Sequence, residues 1–260
     1  MKYSICVTVY NSEEIVKDFL APLLDTDYGI VIVDGESTDK TAEILSGYGD
    51  RINLIERKCS RGLGRKIAID NSHGENIIMT DFDIQIISIE RIIKAYESYN
   101  INDKILAFHL LGDGCNPNVF VGRREIFNYY DAWQDVNCLD DIYFERVCNY
   151  FNAIKRIDFE CEYKCLKIRN LTSGSESRYE TGLARKLIRR VRCTSDIIFV
   201  SGLTYRKLLE FYKLHGFTGK VYGLFLYEAA RILSKFIKTP SITDKIREVK
   251  ERSNKGDDIR

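Results

Sequence analysis

The segment Ile78-Met-Thr-Asp-Phe-Asp83 sets two carboxylates two residues apart, directly after an apolar run. Alternate residues of an extended chain point the same way, so Asp81 and Asp83 aim at a common point that suits one divalent cation or its water shell. Open α/β sheets bind their ligands at the carboxyl ends of their strands, which is where this pair falls if residues 76–80 form a strand. Taken alone, the pattern also describes a solvated turn, because Asp is a common turn residue. The surrounding chain has to decide.

Upstream, short apolar runs alternate with amphipathic segments, the pattern of a mostly parallel sheet covered by helices. Strands are predicted at Ser4 to Val9, Gly29 to Val33, Ile52 to Glu56, Asn76 to Thr80 and Lys104 to Leu110. Helix starts are marked by Ser12 with Glu13 and Glu14, by Ser37 with Asp39, and by Ser88 before Ile89, Ile92, Ile93 and Tyr96, where hydroxyl caps and acidic first turns suit the exposed N–H groups. Gly74 reads as a helix stop. Downstream come a short strand at Val119 to Val121 and a helix with Leu139, Ile142, Tyr143, Val147, Tyr150 and Phe151 on its apolar stripe. Asp140, Asp141 and Glu145 fall largely off that stripe. A strand-like run from Lys155 to Ile168 leads into a loop at Thr172 to Ser177, and helices follow from Gly182. The expected division is a first part over 1–110, a second part of the same domain over 111–195 and a helical extension over 196–260, with a charged tail from about Thr243 that frays.

The 260 residues carry 39 Lys+Arg against 38 Asp+Glu. That balance lacks the basic bias of a dedicated nucleic-acid binder. The opening apolar run is broken by Asn11, Ser12, Glu13 and Glu14, so neither a signal peptide nor a membrane span is expected there, and a cytoplasmic setting is the default. The eight Cys lack the paired CxxC spacing of zinc ribbons. Few Gln beside many Ile, Lys, Arg, Glu and Tyr is a bias seen in hyperthermophile proteins, an archaeal-like hint in composition.

Three further segments precede the Asp81/Asp83 pair: Ile5-Cys-Val-Thr-Val-Tyr-Asn11, Ile32-Val-Asp-Gly-Glu-Ser-Thr-Asp-Lys-Thr41 and Arg61-Gly-Leu-Gly-Arg65. In order and spacing the four together resemble the donor half of family 2 glycosyltransferases, enzymes of GT-A fold with a Rossmann-like α/β sheet. The likeness runs over about residues 4 to 150. It implies a nucleotide-diphosphate sugar as donor, with Asp34 at the nucleotide and Tyr10 packed on the base. Arg61 and Arg65, flanking glycines at a helix start, suit phosphate oxygens. Mg²⁺ or Mn²⁺ would be held by Asp83, with Asp81 helping through ribose or water. Cys138-Leu-Asp-Asp-Ile-Tyr-Phe-Glu-Arg146 looks like the acceptor region of the family, and by that match Asp141 is the general base.

Several positions depart from the family pattern. Gly35 replaces the usual second Asp after Asp34. Phe159 to Asn170 contains no His to complete the metal site, only Cys161 and Cys165. The QxxRW motif of processive synthases is absent, which favours transfer of a single sugar. One base and a metal-held leaving group suffice for inversion. The acceptor is left open among a sugar, a glycan and a lipid-linked molecule. Six basic residues between Arg178 and Arg192, with a stripe of Val221, Phe225, Ala229, Ile232 and Phe236 flanked by lysines, leave peripheral contact with an anionic membrane face among the expected partners, although packing on the catalytic domain is the favoured reading of the stripe. Competing readings are a silent nucleotide-sugar or membrane-surface binding protein on the same scaffold and a nucleotidyltransferase, whose GxGxRxxP-like signature is missing.

Overall fold

The computed structural model describes residues 1–101, 103–111, 117–166, 191, 194–201, 204–214, 216–234 and 240–255. A seven-stranded sheet forms the centre, in the order β3-β2-β1-β4-β7-β6-β8. Its strands are β1 (Tyr3–Val9), β2 (Gly29–Asp34), β3 (Asn53–Glu56), β4 (Asn76–Met79), β6 (Ile105–Leu111), β7 (Asn118–Arg123) and β8 (Ile154–Glu160). All pairs are parallel except those made by β7, which runs against β4 and β6. A two-stranded antiparallel ribbon joins β5 (Ile84–Ile86) to β9 (Tyr163–Cys165).

Helices α1 (Val16–Leu20), α2 (Thr41–Ser46), α3 (Arg61–Asp70) and α4 (Ile89–Tyr99) supply the crossovers, followed by α5 (Arg124–Tyr130) and α6 (Asp140–Tyr150). Both faces of the sheet are covered, so β1 and β4 are apolar almost throughout, as buried parallel strands are. Ile5, Val7 and Ile78 face a core shared with Phe19, Leu20 and Ile92. The alternate residues Cys6, Ile77 and Met79 face another, with Ala68, Trp133, Phe144 and Val147. Period-two alternation therefore feeds two cores instead of one core and solvent.

The order β3-β2-β1-β4 reverses direction at β1, which opens the crevice beyond the carboxyl ends of β1, β2 and β4 where α/β sheets bind ligands. Tyr10, Asp34 and Asp81 lie at those three ends.

Several expectations are corrected. Gly74 is not a helix stop: α3 ends at Asp70, and Gly74 lies so close to Ser4 that a Cβ would come within 2.5 Å of the Ser4 nitrogen. Asp140 and Glu145 are buried, not off the packed side of α6, because the helix is covered on more than its apolar stripe. The run from Lys155 breaks at Cys161 and Glu162 into β8 and β9. Residues 194–201 are helical, here α7. The expected loop at 172–177 and the basic cluster at 178–190 and Arg192 lie outside the described residues.

From Thr243 to Lys255 the charged tail does not fray, and residues 256–260 lie outside the described residues. After α8 (Tyr205–Phe211) and α9 (Gly216–Ser234), α10 (Ile242–Asn254) is capped by Ser241, whose Oγ accepts from Asp244 N at 3.2 Å. Its buried Lys245 pairs with Asp131 at 3.0 Å and Val249 enters the second core. Burial raises the Asp131 carboxyl, but the Lys66 and Lys245 ammoniums more than offset it and leave it below its ordinary value. In α9 the described part of the predicted stripe is turned outward, Phe236 lying outside the described residues: Leu226 and Ala230 are buried, while Val221, Leu224, Phe225 and Ile232 are exposed. Gly223 explains the rotation, since α9 approaches Leu209 so closely that a Cβ there would sit 2.5 Å from its Cδ2.

Candidate active site

The nucleotide end of the crevice is built from two loops that hold each other. Asn11, at φ 47°, turns the chain after β1. Its backbone N donates to Ser37 Oγ at 2.8 Å and its Oδ1 accepts from Thr38 N at 2.7 Å. Ser37 in turn donates from N and Oγ to Asp34 Oδ1, at 3.1 and 2.6 Å. Asp34 is wholly buried. Burial pushes its carboxyl above the ordinary value, and the Ser37 hydrogen bonds pull it part of the way back. Asp34, which the resemblance implies at the nucleotide, fastens this loop. Tyr10, next to Asn11, is 46% exposed and open to a flat ring. At Gly35 a Cβ would meet only ordinary contacts, so the missing second Asp is not excluded by space.

Arg65 organises the centre. Its side chain is 4% exposed, lies over the Trp133 ring at 4.6 Å, and places Nη2 2.5 Å from Asp81 Oδ1. Its Nη1 stands 2.9 Å from Asp140 Oδ2, an ion pair by distance whose angle is too poor for a hydrogen bond. Arg61 Nε donates to Asp140 Oδ1 at 2.7 Å. Asp140 is completely buried between the two guanidiniums. One arginine therefore bridges the Asp81 segment to the first turn of α6, which brings Asp81, Asp140 and the adjoining Asp141 into one cleft. Asp141 is half-buried, with Oδ1 accepting from Ile142 N at 2.9 Å. The spacing of Asp140 had suggested nothing of this role, because its partners are 79 and 75 residues away in sequence.

The phosphate site expected at the start of α3 is already filled by the protein. Arg61 N donates to Asn137 Oδ1, Gly62 N to Val136 O and Leu63 N to Ser60 Oγ. The loop 134–137 sits so close that a Cβ on Gly62 would lie 2.1 Å from Gln134 O. Arg65 is likewise committed to carboxylates, so neither the helix end nor Arg65 presents itself to a diphosphate.

A family model, glycosyl transferase family 2, matches residues 4–140, the stretch holding every residue just described except Asp141 and Ile142. The chain belongs to glycosyl transferase family 2. Among curated relatives, a poly(ribitol-phosphate) beta-glucosyltransferase of Bacillus spizizenii is 35% identical over 107 residues, 37% of this chain and 17% of the relative. The poly(ribitol-phosphate) beta-N-acetylglucosaminyltransferase TarS of Staphylococcus aureus is 31% identical over 93 residues, 32% of this chain and 16% of the relative. The match thus spans about a sixth of those proteins' length. In structure, S. aureus TarS superimposes with a TM-score of 0.53 at 16% identity, over 97% of this chain and 55% of that one. The mannosyltransferase PcManGT of Pyrobaculum calidifontis, in complex with GDP-Man and Mn²⁺, gives 0.53 at 12% identity over 89% and 73%. The fold is GT-A. The hyperthermophile hint finds no support, since the curated relatives named here come from Bacillus and Staphylococcus.

Within the family 2 scaffold, Asp81 and Asp83 follow β4 at its carboxyl end, both half-buried, and Leu166 N donates to Asp83 O at 2.8 Å. Among the described residues no group of three or more His, Cys, Asp and Glu side chains is placed to hold a metal. The cysteines near the pair do not complete one. Cys165 is disulfide-bonded, and burial raises the thiol of the free Cys161, whose Sγ lies 3.7 Å from Ser88 O. Two hard carboxylates alone still fit Mg²⁺ or Mn²⁺, which commonly take one or two protein carboxylates and complete their shell with substrate phosphates and water.

Proposed function

We propose that this chain is an inverting, metal-dependent glycosyltransferase that moves one sugar from a nucleotide-diphosphate sugar to an acceptor hydroxyl. The observation that carries the reading is the Arg65 bridge, because it sets the carboxylate pair after β4 beside the carboxylate pair that opens α6. Donor chemistry and acceptor chemistry then meet in one crevice. Residues 1–110 supply the donor half, 111–195 the acceptor half and 196–260 the extension.

In this reading Tyr10 stacks on the base, and Asp34 holds the loop that shapes the nucleotide end. Asp83, with Asp81 beside it, would hold Mg²⁺ or Mn²⁺, which would supply positive charge to balance the leaving diphosphate. Arg65 keeps Asp81 in place and Arg61, the more exposed of the two, borders the crevice. Asp141 takes the proton from the acceptor hydroxyl as its oxygen bonds to the anomeric carbon and the carbon–diphosphate bond breaks. A single displacement inverts the centre. The beta linkage named for the ribitol-phosphate relatives is what one inversion gives from an alpha-linked nucleotide sugar. The structures of S. aureus TarS in complex with UDP and with UDP-GlcNAc make UDP-sugars the first donors to test, and the poly(ribitol-phosphate) names make a polyol-phosphate chain the first acceptor.

Thermal unfolding with UDP-, GDP- and dTDP-sugars, with and without Mn²⁺, tests the donor side. A matching donor at a hundred times its Kd should add about 2.7 kcal/mol of apparent stability, and only with the metal present. No stabilisation by any donor would end the reading.

For the acceptor side we place the enzyme in the cytoplasm with a peripheral contact at the inner membrane face, made by α9. No described helix is long and apolar enough to cross a membrane. The exposed Val221, Leu224, Phe225 and Ile232 share one side of α9, and Glu228 among them is paired with Arg231 at 2.7 Å. Vesicles containing anionic lipid should co-sediment with the protein at low salt and release it at high salt. Absence of binding at low salt would favour a soluble acceptor.

A further inference from the structure

We infer that Asp196, outside the family-matched residues, is a positioning residue that holds the acceptor-side aspartates in register by clamping the loop before α6. Its Oδ2 accepts from two consecutive backbone N–H groups, Asn137 at 2.9 Å and Cys138 at 3.3 Å. The same short loop binds the start of α3 through Asn137 Oδ1 and Val136 O, and it runs directly into Asp140 and Asp141. Leu139, between the clamp and the pair, takes φ 60°, a left-handed conformation that a bulky side chain adopts only when its surroundings fix it. Asp196 is buried on α7, and Arg146 of α6 donates to Val200 O on the same helix at 2.7 Å. A carboxylate accepting adjacent amides makes charge-assisted hydrogen bonds, the stronger kind. The inference rests on the glycosyl-transfer reading, because it gives the clamp its purpose.

The surroundings make the clamp sensitive to pH. Burial, with the nearby Asp135 and Asp140 charges, outweighs the pull of the two amide bonds and leaves the Asp196 carboxyl pushed up to about 6. Arg61 and Arg65 balance Asp140, and among the described residues Arg146 and Tyr212 also meet α7, Tyr212 through its contact with Thr194. The sign is that of a raised carboxyl. The anionic form predominates above about pH 6 and gives way to the neutral acid as pH falls through that value, so the charge-assisted part of the clamp is lost on the acid side.

The test compares the full chain with Asp196→Ala and Asp196→Asn by amide exchange over residues 136–139 and by steady-state kinetics. In Asp196→Ala the exchange should quicken by roughly tenfold or more, as loss of two amide bonds to a charged group implies, and kcat should fall while donor KM stays within about twofold. Asp196→Asn keeps an acceptor oxygen and should lie between, with the part of the acid limb near pH 6 removed; it decides the question if the Ala variant does not fold. Unchanged exchange in 136–139, or quickened exchange with wild-type kcat, overturns the inference. Should the wild type transfer no sugar at all, the functional reading fails, while the exchange arm still decides whether Asp196 clamps the loop.

Discussion

Asp141→Asn should lower sugar transfer by roughly 10²-fold or more while the protein still binds its donor and metal, the usual size of effect when a general base is removed. Asn keeps the shape and the contact to Ile142 N but cannot take the acceptor proton. The complementary variant is Asp83→Ala. It should remove Mn²⁺-dependent stabilisation by the donor and turnover together, because the carboxylate lies half-buried at the end of β4 and not in either core. The pair separates base from metal ligand. Kinetics of both variants, with donor-induced stabilisation as the second readout, check the assignment. Equal loss of donor binding in Asp141→Asn would make Asp141 structural, and undiminished turnover in Asp83→Ala would remove the metal from it.

Sequence pattern located the crevice because strand alternation and motif order are local properties. Tyr10, Asp34 and Asp81 all lie at strand ends facing the switch point, as the spacing predicted. What the pattern could not supply was the partner of each side chain. Asp34 turned out to be enclosed by Ser37, and the start of α3 to be closed by a loop more than seventy residues further on. Charge in sequence carries no information on burial, so Arg65 read as a phosphate ligand and Asp140 as a group off the apolar stripe of its helix. Asp196 had no signal, since a lone acidic residue in a helix of 194–201 resembles any solvated one. The α9 stripe failed for a related reason: Gly223 lets the opposite face pack, and a helical period does not say which of two apolar faces is buried.

Asp140→Ala should cost about 3–5 kcal/mol of stability, the usual penalty for leaving a buried charge without its partner. Asp140 has no exposed side-chain surface, and its loss strands Arg65, 4% exposed, between the Trp133 ring and Asp81 while Arg61 loses the carboxylate to which it donates. Arg65 would then lean on Asp81 alone. Activity should fall as well, for a positional reason, because the first turn of α6 and the segment after β4 are no longer tied together. Replacing both partners of the buried pair, as in Arg65→Met with Asp140→Leu, should recover much of the stability, since two well-packed apolar groups do not carry the desolvation cost of ions. It should not recover transfer, because the ion pair from Arg65 to Asp81 is then lost. Denaturant unfolding of the single and double variants gives the coupling directly. A single-variant loss below about 1 kcal/mol would place Asp140 with solvent-exposed ion pairs and remove the bridge from the account of the site.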